Sequence, residues 1–206
     1  MKQTLPIIYL ALCLFFCSCA STFKSIDPQK IPFSYTENAA DIQFSYAYDV
    51  LALNGNKKYV KRETKHGMRV VAVRITNNSQ QTLQLNKNLK LIVGNNQTMP
   101  IEPAIVTKNI KQRTWLYLLY TPLTLTFNAT TTNSYGHIES QGGTTIPIGP
   151  FIAGGNLIMA HTANKNFRKE ISKFNLLDTK IEPGQTVYGL ITLHSLTAEP
   201  IKFEVQ

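Results

Sequence analysis

The run Met68-Arg-Val-Val-Ala-Val-Arg-Ile-Thr-Asn-Asn-Ser79 constrains the fold of this chain more than any other segment. Its β-branched residues suit a pleated, half-buried surface. Val71, Val73 and Ile75 alternate with other residue types, which gives the segment one apolar and one mixed face. The Asn-Asn-Ser sequence that ends the run is typical of a turn. We therefore predict a central β-strand, paired antiparallel with a strand at 82–85.

Further strands are predicted towards both ends of the chain. Apolar and polar residues alternate strictly over 42–50, and Asn54-Gly55 is a strong hairpin signal. A Pro-Gly turn precedes a β-rich run at 187–194, and 201–205 alternates again. This pattern predicts a mainly β domain of two packed antiparallel sheets over residues 41–206.

Residues 106–178 depart from the strand pattern and are predicted to form an insertion. Two apolar pieces, 115–127 and 146–156, bracket a polar stretch, which is consistent with a hairpin that leaves the sandwich. From about 155 to 177 the apolar residues recur at spacings of three and four, so we predict one amphipathic helix there. The opposing interpretation is that both apolar pieces are core strands or a lid over one end of the sandwich.

The N-terminal residues have the properties of a secretory signal. Lys2 is the only charged residue before Cys19, and residues 5–17 are almost wholly apolar. This apolar run is shorter than the roughly 20 residues that a membrane-spanning helix needs. All three cysteines lie in or at the end of residues 1–19, so the remainder of the chain has no disulfide and no cysteine metal site.

The sequence Phe16-Cys17-Ser18-Cys19 resembles the lipobox of bacterial lipoproteins, although leucine is commoner at the position of Phe16. The resemblance implies a signal peptide at 1–18 that is removed, and acyl chains on Cys19; the alternative is an ordinary secreted protein. Residues 19–40 are then the lipid anchor and a flexible tether. No acidic run follows Cys19, which favours the periplasmic side of a Gram-negative outer membrane over the cell surface.

Two motifs further along resemble the telokin-like, immunoglobulin-type domains of bacterial lipoproteins. These are the strand and turn at 71–79 and the Pro-Gly-containing strand at 183–190. The resemblance implies an immunoglobulin-like antiparallel β-sandwich that carries the insertion. It implies no activity, because domains of this kind share none.

Two groups of residues are candidates for binding. Aromatic residues near basic ones suit a membrane–water interface or a partner's groove, and the possible interface comprises Trp115, Tyr117, Tyr120, Phe127 and Phe151. A basic cluster, Lys57, Lys58, Lys61 and Arg62, is the possible contact for an anionic group; the alternative is a solvated hairpin end. The net charge of +9 favours anionic lipid headgroups or an acidic partner.

No catalytic motif is present. The histidines at 66, 137, 161 and 194 have no metal-ligand spacing, and the chain lacks HExxH, GxSxG and P-loop sequences. We therefore predict a lipid-anchored, non-catalytic binding or structural module without cofactor or metal, whose insertion contacts an envelope protein or a glycan and not nucleic acid. The alternatives are a peripheral membrane protein that uses 115–127 and 146–160, and a cryptic hydrolase.

Overall fold

The chain has a mixed α/β structure with several antiparallel sheets. The computed structural model describes residues 19–132, 135–136 and 138–205, with the backbone alone at 129–132 and 138–142; the predicted signal peptide lies outside these residues. Two compact units are formed. Unit 1 combines the chain up to Thr22 with Arg113–Thr162, and unit 2 combines Phe23–Gln112 with Ala163–Gln206.

The elements alternate between short strands and helices along most of the described chain. The strands are β1 (Tyr35–Ala39), β2 (Ile42–Ala47), β3 (Met68–Asn77), β4 (Leu83–Gln84), β5 (Leu89–Val93), β6 (Asn96–Thr98), β7 (Leu125–Thr132), β8 (Ile138–Ile146), β9 (Lys180–Ile181), β10 (Thr186–His194) and β11 (Ile201–Val205). The α-helices are α1 (Val50–Leu53), α2 (Lys57–Lys65), α3 (Leu85–Asn88), α4 (Pro103–Asn109) and α5 (Gly149–Lys173), with 3₁₀ helices at Pro28–Lys30 and Thr114–Tyr120.

The predicted central strand is confirmed. β3 lies between β2 and β10 in a four-stranded antiparallel sheet of order β1-β2-β3-β10. A three-stranded sheet has the order β11-β5-β6, and β4 with β9 and β7 with β8 form two-stranded sheets. The predicted pairing of β3 with the strand after its turn is wrong, because β4 pairs with β9.

Both faces of β3 are buried, which explains its nearly continuous apolar sequence. Val71, Val73 and Ile75 belong to a core shared by the four- and three-stranded sheets. Phe44 and Phe203 meet across this core with ring centroids 5.7 Å apart. On the opposite face, the side chains of alternate residues belong to a second core that includes side chains of α2, α4 and α5.

This helical layer corrects the expectation of a mainly β domain with one helix. The basic cluster at 57–62 lies on α2 and not at a hairpin end. Asn54-Gly55 joins two helices, because Gly55, at φ 70°, turns the chain between α1 and α2. The predicted amphipathic helix is confirmed, although α5 extends from Gly149 to Lys173. Within unit 2 its buried residues are Ala163, Phe167 and Ile171, while its lysines are exposed.

The predicted flexible tether at 19–40 is also corrected. Phe23, Ile26 and Ile31 are buried in the second core of unit 2. The Phe23 ring makes edge contacts with Tyr59 and Phe167 at centroid distances of 5.2 and 5.4 Å. Residues 35–39 then form β1 at the edge of the main sheet. Most of this segment is therefore structural, although Tyr35 at the start of β1 is exposed.

Asn77 closes β3 and is expected to be important for stability. Its buried side chain donates to the carbonyl oxygens of Gln81 (2.7 Å) and Ile181 (2.9 Å) and accepts from Ser79 N–H (3.0 Å). We expect Asn77→Ala to lower the free energy of unfolding by about 2 kcal/mol, because buried partners lose their hydrogen bonds. Urea unfolding measures this loss. The exposed neighbour Asn78→Ala is the control, and equal losses for the two variants would contradict the assignment.

Candidate functional site

Unit 1 has a small core made of small and aromatic residues. Ala20, Tyr117 and Ala160 form a buried cluster against which Tyr120 packs. Burial raises the pKa of Tyr117, and the neighbouring Tyr120 and Cys19 raise it further. This core joins the residue after Cys19, the 3₁₀ helix at 114–120 and the first part of α5.

The first part of α5 has small residues inside and large ones outside. Ala153 and Ala160 are buried, whereas Phe151 is 79% exposed and Ile158 is 68% exposed. At 100° per residue, Phe151, Ile152, Ile158 and Met159 share one side of the helix, opposite the two alanines. This is the reverse of an ordinary amphipathic helix, whose large apolar side chains face the core.

The 3₁₀ helix at 114–120 likewise exposes most of its large apolar side chains. Tyr117 is buried, but Trp115, Leu118 and Leu119 are 59%, 50% and 67% exposed. Its position against α5 is fixed by Gly149, whose N–H donates to Leu123 O at 2.8 Å. A Cβ at Gly149 would overlap the carbonyl oxygens of Tyr120 and Thr121, so this position requires glycine.

A hairpin is present, but its strands β7 and β8 are formed mostly by the polar stretch and not by the two apolar pieces that were predicted to form it. The hairpin has two different faces. Leu125 pairs with Ile146, and Phe127 lies on the same face. All three side chains are exposed. On the other face the hydroxyls of Thr126 and Thr145 lie 2.9 Å apart. The hairpin therefore presents an apolar face to its surroundings.

Unit 1 holds most of the exposed apolar side chains. Twelve of the eighteen large, exposed apolar residues in the described chain belong to it. We call these residues the apolar surface: Trp115, Leu116, Leu118, Leu119, Leu125, Phe127, Tyr135, Ile146, Phe151, Ile152, Ile158 and Met159. Single exposed apolar residues are normal in soluble proteins, whereas a concentration of them is typical of interaction sites.

Cys19 belongs to the same unit as the apolar surface. Cys19 is exposed, and the next residue is held on α5 by a hydrogen bond of 2.6 Å from Ala20 N–H to Asn156 Oδ1. The Asn156 amide nitrogen in turn donates to Ile152 O at 2.9 Å. The predicted lipid attachment point is thus fixed on unit 1 without an intervening linker.

The predicted interface residues differ in how far they are exposed. Trp115, Phe127 and Phe151 are exposed, Tyr120 is half-buried, and Tyr117 is a core residue. The interface residues named individually from the sequence did not include Leu118, Leu119, Ile152, Ile158 and Met159, although all five lie in the segments 115–127 and 146–160 of the alternative function. A signal for the three on α5 was present, because the helix is apolar on all sides between residues 151 and 160 and only the angular positions of its alanines show which side faces inward.

The predicted basic cluster lies in unit 2. Lys57 and Lys61 are exposed on one side of α2, and Lys58 is half-buried. Arg62 lies with its Nη2 atom 3.1 Å from His66 Nε2 and 3.3 Å from Asn109 O. Arg62 therefore has a structural role between α2 and the end of α4, and Lys57 and Lys61 are the exposed cations of the cluster.

Unit 2 contains one cleft with residue types that occur in hydrolases. This open cleft of about 410 Å³ is lined by His194, Ser195 and Glu199, among others. The Ser195 hydroxyl, however, donates to Thr197 O. In the described part of the chain no three His, Cys, Asp or Glu side chains are grouped as metal ligands would be.

Comparisons with protein-family models, curated proteins and solved structures gave no match. Within the described residues, none of the helices has the length and apolar character needed to cross a membrane.

Proposed function

We propose that this protein is a lipid-anchored envelope protein whose unit 1 is seated in the membrane–water interface. The observation that carries the proposal is the apolar surface on the same compact unit as Cys19. Acyl chains on Cys19 would enter the membrane beside residues that already favour it. Unit 2 then acts as a non-catalytic binding module.

The apolar surface supplies the main driving force. Full burial of one leucine- or phenylalanine-sized side chain stabilises by about 1.5–3 kcal/mol. Even partial insertion of several such side chains is a strong membrane contact, and a single acyl chain gives only marginal binding without a second signal. Trp115 and Tyr120 are residue types that settle at the level of the headgroups.

Charge supports the same function. Cleavage before Cys19 removes Lys2, which leaves 20 Lys and Arg against 12 Asp and Glu, a net charge of +8. Anionic lipids attract such a protein, and salt weakens the attraction. The lipobox resemblance and the lack of an acidic run after Cys19 favour the periplasmic side of a Gram-negative outer membrane.

The fold of unit 2 supports a binding module. We infer that its two larger sheets are a modified immunoglobulin-like sandwich, in which α2, α4 and α5 cover the outer face of the four-stranded sheet. Support comes from the antiparallel pairing throughout and from the core that the two sheets share. Domains of this kind commonly bind other molecules, and their function depends on the residues of the individual site and not on the fold.

Two measurements test the proposed function. Mass spectrometry of the purified protein should find an N-terminal, acylated Cys19; an intact amino terminus at Met1 would contradict the anchor. The unacylated chain from residue 20 should sediment with anionic vesicles at low salt and much less with neutral ones. Absence of binding to both kinds of vesicle would contradict the membrane contact.

A protein partner is the second candidate, and the apolar face of the β7–β8 hairpin favours it. Leu125, Phe127 and Ile146 on one face of a ribbon suit a partner's groove. In this case deletion of 115–155 from the otherwise folded chain should abolish partner recovery without changing vesicle binding. Unchanged recovery would reject the insertion as the binding element.

A further inference from the structure

One end of the main sheet is left uncovered by the helices of unit 2. Near its middle, Val70 and Ala72 of β3 lie in the second core beside α2 and α5. Further along the same face, the side chains become polar in two successive rows across all four strands. These polar rows are Thr36, Ser45, Arg74 and Tyr188, followed by Asn38, Gln43, Thr76 and Thr186. Only Ser45 is fully buried, and the other seven are exposed or half-exposed.

Arg74 is the cation at the centre of the first row. Its Nη2 atom donates to Ser45 Oγ at 2.9 Å, and its guanidinium lies 5.4 Å from the centre of the Phe33 ring. The Phe33 ring lies 6.2 Å from that of Tyr188. The guanidinium, whose position is fixed by a buried hydroxyl, therefore lies beside one aromatic ring, and that ring lies close to a second.

Among the described residues, no carboxylate forms an ion pair with Arg74. The ion pairs found among the described residues are Lys30 with Asp27 and Arg69 with Asp49. The Nε atom of Arg74 is buried and has no hydrogen-bond partner within the described residues. A half-exposed guanidinium without a counter-charge is suited to bind an anion, and its planar fork matches a carboxylate in particular.

The second row adds neutral hydrogen-bonding groups. Thr76 and Thr186 lie with their hydroxyls 2.9 Å apart, and Thr36 and Ser45 do the same in the first row. Asn38 and Gln43 supply amides that both donate and accept. Hydroxyls and amides on a flat sheet face match the hydroxyls of a sugar, and aromatic rings match its C–H faces.

We propose that the polar rows bind an acidic oligosaccharide. The carboxylate of one sugar residue pairs with Arg74, its ring lies against Tyr188 or Phe33, and neighbouring hydroxyls bond to Asn38, Gln43 and the threonines. The positive charge of the chain attracts such a polyanion from a distance. This site lies in unit 2, so the inference stands or fails independently of the proposed membrane contact of unit 1.

The test is calorimetric titration of the full chain in detergent with an oligogalacturonate. The matched probes are a neutral galactose oligomer of equal length and inorganic phosphate. We expect binding of the acidic oligosaccharide only. Arg74→Gln should weaken it about ten- to hundredfold, because a charged hydrogen-bonded pair is lost. Lys202→Gln, on an exposed position of β11, removes the same charge and should leave affinity unchanged.

Gln43→Glu is a second variant that retains the side-chain size in the polar rows and adds a negative charge. It should also weaken binding, which keeps the test decisive if Arg74→Gln fails to fold. The proposal is overturned if Arg74→Gln and Lys202→Gln bind equally well, or if the neutral oligomer binds as tightly as the acidic one. Full competition by inorganic phosphate would show a simple anion site and would equally overturn the saccharide assignment.

Discussion

Replacing Leu119, Phe151 and Ile158 together by serine is expected to lower the partition of the unacylated chain into anionic vesicles about a hundredfold. Each of these side chains is more than 65% exposed in unit 1. If each contributes about 1 kcal/mol by partial burial among lipid chains, the three contribute about 3 kcal/mol. Stability in solution should change little, because none of them belongs to a core.

The matched control replaces three exposed apolar residues of unit 2 by serine. Leu53, Met99 and Leu196 are 65%, 76% and 75% exposed. These substitutions remove a similar apolar area but should leave vesicle partition unchanged. Equal losses for the two triple variants would show that vesicle binding does not depend on the apolar surface. Sedimentation at several lipid concentrations gives the partition coefficients.

Glu63→Gln is expected to remove a large pH dependence of stability. Glu63 is 1% exposed on α2, and burial raises its pKa from 4.5 to about 7. The hydrogen bond from Val70 N–H to Glu63 Oε1 opposes this rise, as does the charge of Arg69. Because the folded state holds its proton more tightly than the unfolded state, the contribution to stability is complete below pH 4.5. It is lost as the pH rises through 7.

This loss amounts to about 3 kcal/mol in the free energy of unfolding. Glutamine retains an acceptor for Val70 N–H but has no charge, so the variant should be more stable than the wild type at pH 8 and similar at pH 4.5. Urea unfolding at pH values between 4.5 and 8 measures the profile. Glu204→Gln, at an exposed position of β11, is the control. If the stability of Glu63→Gln depended on pH as that of the wild type does, Glu63 would not be the source of the pH dependence.

Local patterns in the sequence predicted several elements correctly. The alternation at 71–75 and the following Asn-Asn-Ser turn identified β3, whose end is fixed by Asn77. The three- and four-residue spacing identified α5, whereas the two apolar pieces contribute only the ends of the β7–β8 hairpin. These features depend on residues close together in the chain.

The helical layer was missed because its signals are short or ambiguous. In α2, only Tyr59 and Glu63 are fully buried, and the second is an acidic residue that a pattern of apolar positions does not count. In the predicted tether, Phe23, Ile26 and Ile31 follow no regular period, so only tertiary contacts show that they are core residues. The polar rows could be recognised only from the strand register, because they combine residues from β1 to β10, which lie far apart in the chain.

The sequence also could not predict which apolar residues of unit 1 are exposed. Trp115 and Tyr117 are two residues apart and of similar type, yet one is 59% exposed and the other 4%. The difference arises because Tyr117, unlike Trp115, belongs to the buried cluster with Ala20 and Ala160. The direction in which a large apolar residue faces depends on where small residues allow close packing.

The depth of Trp115 in the membrane tests most directly whether unit 1 lies in the membrane–water interface. Trp115 is the only tryptophan of the chain, so its fluorescence reports this one site. The acylated protein is incorporated into vesicles whose lipids carry bromine atoms at different depths of the acyl chains. Strong quenching by the shallow bromines, with protection from aqueous iodide, is the predicted result. Quenching by iodide as in detergent-free solution, with no effect of any brominated lipid, would contradict it.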